Sequence, residues 1–284
     1  MNSFAEKVAI VTGGGSGMGR ELVRQLAAEG CSVATCDLNA DSLAETQELA
    51  AGEAAGTALV SAHQCDVSDE AAVLRFRDEA LAAHQTDHVD LVFANAAIGG
   101  GGSFINDPRE QWERVFAVNW WGVYYTARAF LPLLIASPEG VLVNTSSVNG
   151  FWGSLGPAWP HTAYSTAKFA VKGFTESLIE DLRTNAPHVR VALVMPGYIA
   201  TNIVGNSMRA FGVTDSAEIE KANAGWRDGA PTTAAAAAAV ILDGVRSGAW
   251  RILVGEDAKK LDEFVRGNPE STYDHEERIK SLSE

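Results

Sequence analysis

Seven short apolar runs, at 8–12, 32–36, 58–65, 89–94, 141–145, 189–194 and 251–254, alternate with segments of helical periodicity. That alternation leaves few folds open. A strand, a helix and a second strand running the same way build a parallel sheet through right-handed crossovers. Several of the runs are almost continuously apolar, as strands covered by helices on both faces must be. Between them Met18, Leu22 and Leu26 recur every four residues, and Trp112, Val115, Phe116, Asn119 and Val123 follow the i, i+3, i+4 rule of an amphipathic helix. The expected fold class is α/β: a doubly wound, seven-stranded parallel sheet with helices on both faces. A length of 284 residues alone permits two domains. No Pro/Ser-rich linker, charge run or internal repeat divides the chain, so a single domain over 1–284 is expected.

Local signals refine this outline. Ala234 to Ala239 is low in complexity, but alanine is the best helix former and Thr232-Thr233 offers a helix start. Residues 202–229 are too many for a plain loop and carry Met208, Phe211 and Trp226, which predicts a helical substrate flap at about 198–230. The tail at 256–284 is polar, and no role is expected of it.

Composition removes several classes of function. Lys and Arg number 22 against 36 Asp and Glu, a net charge of −14, and no basic cluster interrupts that balance. A nucleic-acid partner and an anionic membrane surface are both disfavoured. No window approaches the ~18 apolar residues of a membrane span. The N-terminus lacks the basic, apolar and small-residue sections of a signal peptide, so a cytoplasmic location is expected. Cys31, Cys36 and Cys65 are odd in number, lie in apolar segments and lack metal-ligand spacing. They read as core residues, and with the six histidines scattered no metal site is expected.

Directly after the first strand comes Thr12-Gly13-Gly14-Gly15-Ser16-Gly17-Met18-Gly19, and then a helix begins. Glycines at such a turn let the backbone approach a pyrophosphate, which the free amides and positive dipole of the helix N-terminus then hold. Asp37 ends the second strand eighteen residues after Gly19, close to the ~20 expected of the acid that binds a ribose hydroxyl pair. Arg20-Glu21 stands where a nucleoside triphosphatase needs Lys and then Ser or Thr, and no Gly-x-Ser-x-Gly elbow of an α/β-hydrolase occurs. A dinucleotide site is the remaining reading.

Tyr164 and Lys168 are four apart in a helical segment, so both side chains emerge from one face. An ammonium near a phenol favours the phenolate, which would lower the tyrosine from its reference value of about 10 towards working pH. Ser146-Ser147 follows the strand at 141–145, on the carboxyl edge where open α/β sheets bind ligands. Asn119 interrupts an apolar helical stripe, and a buried amide needs partners.

With these pieces the chain resembles the classical short-chain dehydrogenase/reductase family over nearly its full length. The resemblance rests on Thr12-Gly13-x-x-x-Gly17-x-Gly19, Asp66-Val67, Asn95-Ala96-Ala97, Asn119, Ser147, Tyr164-x-x-x-Lys168, and Pro196-Gly197 followed by Thr201. It implies a Rossmann-like sheet, a nicotinamide-dependent oxidoreductase and a tetrad of Asn119, Ser147, Tyr164 and Lys168. In that scheme Tyr164 exchanges the proton, Ser147 binds the substrate oxygen, Lys168 binds the nicotinamide ribose and tunes Tyr164, and Asn119 holds a relay water. Gly13, Ser16, Gly17, Met18, Gly19, Asp37 and Leu38 would hold the adenosine and pyrophosphate, with Asp66 and Val67 at the adenine. Asn95, Ala96 and Ala97 would lie along the cofactor, and Pro196, Gly197, Ile199 and Thr201 at the nicotinamide. Two departures stand out: Ala replaces the usual Gly in Asn95-Ala96-Ala97, and the segment between Ser147 and Tyr164 is a few residues longer than usual.

Asp37 accepts ribose hydroxyls but repels a 2′-phosphate, and no Arg or Lys stands at Ser16 or Leu38 to compensate, so NAD is the expected cofactor. Ile98, Val148, Trp152, Trp159, Tyr198, Met208 and Phe211 are the candidate substrate pocket. The segments that supply them carry few charges, which suits a bulky hydrophobic secondary alcohol or ketone. The resemblance further implies a homodimer or homotetramer. Two other functions fit the same dinucleotide site: a non-catalytic sensor, and a nucleotide-sugar epimerase or dehydratase of the extended branch of the superfamily.

Overall fold

The computed structural model describes residues 1–153 and 160–274. Seven parallel strands form one sheet in the order β3-β2-β1-β4-β5-β6-β9. These are β1 Val8–Thr12, β2 Ser32–Asp37, β3 Val60–Gln64, β4 Leu91–Ala94, β5 Val141–Thr145, β6 Arg190–Pro196 and β9 Arg251–Val254. After β3 the chain crosses to the other side of β1, so strand order reverses between β1 and β4. A reversal of this kind opens a crevice beyond the carboxyl ends of the strands, where ligands bind in open α/β sheets.

Strand side chains alternate between the two faces, and the core divides accordingly. Ala9, Val11, Val33, Phe93 and Val143 pack on one face with Leu22, Val23 and Leu26 of α1 (Gly17–Ala28) and Ile241 and Val245 of α9 (Ala234–Ser247). Ile10, Ala34, Val92, Leu142 and Val191 point the other way. They meet Val73 and Phe76 of α3 (Glu70–His84), Phe130 and Leu134 of α5 (Gly122–Ala136), and Leu178 and Leu182 of α6 (Thr162–Asn185). The remaining crossover, α2, spans Ala40–Glu53, and its N-terminal cap is Asn39, whose side chain accepts from the Ser42 amide at 3.0 Å. Ser16, at the same position before α1, makes no such bond, so the first amides of α1 stay available.

Several features depart from, or sharpen, the sequence reading. The third strand is shorter than 58–65 and the sixth runs on to Pro196. The helical stripe around Asn119 is interrupted: α4 (Arg109–Phe116) passes through a π turn at Ala117–Trp121 before α5. Widened turns of this type concentrate at functional positions. The region expected as a flap folds as α7 (Ile203–Ala210) and α8 (Ser216–Gly229), and a small parallel pair, β7 (Ile199–Ala200) with β8 (Thr232–Thr233), ties its two ends together. Thr233 then caps α9, accepting from the Ala236 amide at 3.2 Å. Finally, the start of the tail is a helix, α10 (Glu256–Gly267), which buries Ala258, Leu261 and Phe264. Their i, i+3, i+6 spacing is diluted by charged neighbours, which makes the segment read as polar. No helix among the described residues is long and apolar enough to cross a membrane.

Candidate active site

The glycine turn closes so tightly that side chains are excluded from it. The Gly13 and Gly14 amides both donate to the Cys36 carbonyl, at 2.8 and 3.0 Å. Gly13 has φ of +72°, and a Cβ there would lie 2.7 Å from the Ala96 backbone. At Gly19 a Cβ would collide with the Gly13 carbonyl. Thr12 joins this turn to the β4 loop, its hydroxyl accepting from the Asn95 and Ala96 amides at 3.0 and 3.1 Å. Asn95 returns a bond from Nδ2 to the Thr12 carbonyl at 3.1 Å and keeps Oδ1 buried without a partner. Asp37 sits beside the turn, accepting from the Gly15 and Asn39 amides, each at 3.0 Å.

A cavity of about 370 Å³ opens over this turn. Gly13, Ser16, Gly17, Met18, Gly19, Asp37, Leu38, Asp66, Val67, Asn95, Ala96, Ala97, Ile98 and Thr201 all line it. Pro196, Gly197 and Ile199 do not: the Tyr198 amide beside Gly197 donates to Asp257 of α10 at 2.6 Å, and Ile199 is buried in β7. Burial pushes the Asp66 carboxyl up, but bonds from Ser68 and Arg114 outweigh it and hold the group below the usual carboxylate range. The bare turn, the free amides of α1 and a carboxylate at the end of β2 fit an elongated diphosphate with a ribose at one end.

Beyond Ile98 the character of the site changes from backbone to buried side chains. Tyr164, Lys168, Ser147 and Asn119 lie outside the cavity lining: Asn119 meets it through the Ile98 carbonyl, and Ser147, Tyr164 and Lys168 form a cluster of their own beyond the carboxyl end of β5. Asn119 is fully buried in the π turn and donates from Nδ2 to the carbonyls of Ile98 and Val115, both at 2.8 Å, while Oδ1 has no partner. Ser147 lies two residues beyond β5, with its hydroxyl bonded to Tyr164 and accepting from the Asn149 amide at 3.1 Å. The neighbouring hydroxyl of Ser146 is spent on the Lys168 carbonyl at 2.7 Å, so of the pair it is Ser147 that faces the phenol. Lys168 is 1% exposed, donates to the Thr145 carbonyl at 3.0 Å, and carries Nζ 5.4 Å from the centre of the Tyr164 ring.

Burial governs both titrations here. It pushes the Tyr164 phenol up to about 12, against a smaller opposing pull from Ser147. It pulls the Lys168 ammonium down to about 7. The sequence expectation of a tyrosine lowered by its lysine is therefore reversed, because desolvation of the anion outweighs a cation that makes no hydrogen bond to it.

The aromatic residues expected around the substrate are distributed more widely than their sequence positions suggested. Trp152 is turned away from the cavity: it packs on Leu261 and Phe264 of α10 and donates to the Thr272 carbonyl at 3.3 Å. Val148 packs in the same cluster. The Tyr198 hydroxyl donates to the Trp226 carbonyl at 2.6 Å, with the two rings 4.3 Å apart, so both close the flap on itself. Phe211 lies against Gly100, Met208 is half-buried in α7, and Trp159 falls outside the described residues.

Several lining residues were missed by sequence reasoning, chiefly Arg114, Asn206 and Arg209. Asn206 and its neighbour Ser207 seat the flap on two loops. Asn206 Nδ2 donates to the Ser16 hydroxyl at 3.0 Å, and Ser207 Oγ accepts from the Gly99 amide at 2.7 Å. Their one trace in the sequence is the polar pair Asn206-Ser207 between Val204 and Met208.

Known proteins share this architecture. The family model for short chain dehydrogenase matches residues 7–210. The Mycobacterium tuberculosis protein SadH, designated an oxidoreductase, is 37% identical over 266 residues, covering 94% of this chain and 92% of its own. A short-chain dehydrogenase/reductase from Burkholderia phymatum, solved with NAD, superposes with a TM-score of 0.80 at 29% identity, covering 94% of this chain and 97% of its own. A metagenomic short-chain oxidoreductase, solved with NADP, gives 0.60 at 31% identity over 68% of this chain and 83% of its own. The match of most of the chain to the family model, on a sheet of this order, makes the protein an oxidoreductase of the short-chain dehydrogenase/reductase family.

Proposed function

We propose that the protein is an NAD-dependent dehydrogenase or ketone reductase acting on a bulky hydrophobic secondary alcohol or its ketone. The observation that carries the reading is the Ser147 hydroxyl bonded to the Tyr164 phenol, with Lys168 Nζ 5.4 Å from the centre of that ring, at the same carboxyl edge of the sheet as the glycine turn. When bound, the nicotinamide supplies the hydride acceptor or donor. Gly13, Ser16 to Gly19, Asp37, Leu38, Asp66, Val67, Asn95 to Ala97 and Thr201 hold the dinucleotide, with Lys168 and Tyr164 beside the nicotinamide ribose. Pro196, Gly197 and Ile199 shape the nicotinamide end from behind.

The proton has a defined route. In reduction Tyr164 donates its phenolic proton to the nascent alkoxide, a role suited to a group that keeps its proton at neutral pH. In oxidation the same oxygen must first be deprotonated, which burial opposes and the Ser147 bond and a charged Lys168 favour. Oxidation therefore speeds up as pH rises, and reduction does not. Ser147 orients the substrate oxygen. Asn119 fastens the Ile98 loop and offers its free Oδ1 to a water on the Lys168 side.

Charge around Tyr164 sets the substrate class. Residues 98–104 and 148–153 contain no Asp, Glu, Lys or Arg. His161, with its ring centre 5.4 Å from that of Tyr164, is held below its ordinary value by burial and is neutral at pH 7. An anionic substrate lying between these two segments would find no cation on either of them to pair it. Ile98, Met208 and Phe211 form the flap side of the pocket and Val148 its far side, with Trp152 supporting that side from behind. At the ribose end, Asp37 favours NAD because its carboxylate would face a 2′-phosphate.

Trp121, 40% exposed, extends the aromatic cluster of Trp120, Tyr124 and Phe174 to the surface, and Phe169 of α6 is 42% exposed, which supports a homodimer or homotetramer. A solution mass at twice or four times 30.1 kDa is expected. Function is tested by steady-state assays with both cofactors on hydrophobic alcohols, hydroxy acids and sugar phosphates. The expected result is preference for NAD and the hydrophobic alcohols. Preference for NADP or for an anionic substrate contradicts the reading.

A further inference from the structure

Charge in the dinucleotide cavity is unevenly neutralised, and the surplus falls on the flap. The described lining holds two carboxylates, Asp37 and Asp66, and two guanidiniums, Arg114 and Arg209. Arg114 is neutralised by Asp66 at 2.9 Å and also donates to the Ser68 hydroxyl at 2.6 Å. Asp37 is engaged with backbone amides. Arg209, among the described residues, has no carboxylate within ion-pair distance, and its hydrogen bond to Asn206 Oδ1 is a long 3.3 Å. A bond of that length is weak and costs little to exchange.

The same asparagine connects this cation to the phosphate-binding turn. Asn206 turns Oδ1 to Arg209 and Nδ2 to the hydroxyl of Ser16, the residue whose side chain leaves the first amides of α1 uncapped. Thr201, where the flap begins, lies over Gly17 closely enough that a Cβ there would be 3.1 Å away. The flap thus rests on the turn that would hold a diphosphate, and places an unpaired guanidinium at the open side of that turn. Carboxylate at the ribose end and cation over the glycine turn match a ligand with a neutral diol at one end and two negative charges at its centre.

We propose that Arg209 is the flap's diphosphate clamp. Resting on the dinucleotide reading of the cavity, the clamp works by exchange. When a diphosphate enters, the Arg209 guanidinium leaves Asn206 Oδ1 and donates to the phosphate oxygens, while Asn206 Nδ2 keeps α7 seated on Ser16. Ligand binding and flap closure become one event. A planar guanidinium suits this task better than an ammonium because it can present two parallel donors.

The test is calorimetric titration of adenosine, ADP and NADH into the wild type, Arg209→Gln and Arg209→Lys, with amide hydrogen exchange followed over residues 203–210. Arg209 is exposed, so its removal leaves the core untouched. In Arg209→Gln, ADP and NADH should bind about tenfold more weakly while adenosine changes by less than about twofold. Arg209→Lys should fall between. ADP should slow exchange in α7 of the wild type and leave it unchanged in Arg209→Gln. The clamp is overturned if Arg209→Gln binds ADP like the wild type, or if adenosine weakens as much as ADP. A wild type that binds neither ADP nor NADH overturns the dinucleotide reading, and the clamp with it.

Discussion

The two ends of the site are built by opposite means. At the glycine turn the working groups are backbone amides and surface carboxylates around an open cavity, and glycines keep side chains out of it. At the tetrad the working groups are side chains sunk into the sheet edge, where Lys168 is 1% exposed and Asn119 fully buried. The first end recognises charge and shape with little desolvation of its own groups. The second holds ionisable groups where their charged forms are disfavoured, and a cofactor and substrate must restore the balance. Binding and chemistry should consequently respond differently to mutation and to pH.

The largest contrast is expected from Tyr164→Phe, which keeps the ring and removes the exchangeable proton. Its kcat should fall by about 10² to 10⁴ while NADH affinity is retained. Near-normal kcat with an unchanged pH profile would erase the division between the two ends. At the other end, Asp37→Ser should alter cofactor choice without touching chemistry. The ratio of kcat/KM for NAD over NADP should drop by about tenfold or more as the charge facing the 2′ position is removed. An unchanged ratio would assign the preference to other residues.

Stability offers the next contrast. Gly13→Ala would place a methyl against the Ala96 backbone at a φ of +72°, and should cost about 1 to 3 kcal/mol in denaturant unfolding together with dinucleotide affinity. Lys168→Met should abolish turnover yet raise the thermal midpoint. Because the buried lysine titrates near 7 while the unfolded chain titrates near 10.5, the unfolded state binds the extra proton between those values. Wild-type stability therefore rises with pH across that window, and the advantage of Lys168→Met shrinks as it does. A constant gap between the two melting curves would show that the lysine is not desolvated. The smallest effect is expected at Gly173, exposed on α6, where an added methyl would meet nothing within 4 Å. Gly173→Ala should stabilise by about 1 kcal/mol and leave both ends unaffected.

The division between the ends also explains what could be read from the residues in order. Strands buried on both faces announce themselves as continuous apolar runs, and the turn from Thr12 to Gly19 acts through local backbone, so sheet, turn and Asp37 were legible. The environment of Tyr164 was not. Spacing puts Lys168 on its face of α6, but the sign of the shift depends on how deeply other elements bury both groups. Trp152 fails for a similar reason: its direction is decided by Leu261, Phe264 and Thr272, more than a hundred residues further along. Arg209 and Asn206 belong to a short flap helix whose polar positions gain meaning only when Ser16 and Gly99 lie beneath them.

The central claim is that a dinucleotide held at one end exchanges hydride with an alcohol positioned at the other by Tyr164. Incubating the wild type with NAD and a hydrophobic secondary alcohol deuterated at its carbinol carbon tests this most directly. The account predicts deuterium on C4 of the product nicotinamide, with a lower rate than for the protonated alcohol and loss of nearly all transfer in Tyr164→Phe. Tight NAD binding with no deuterium transferred from any of a panel of such alcohols would contradict it.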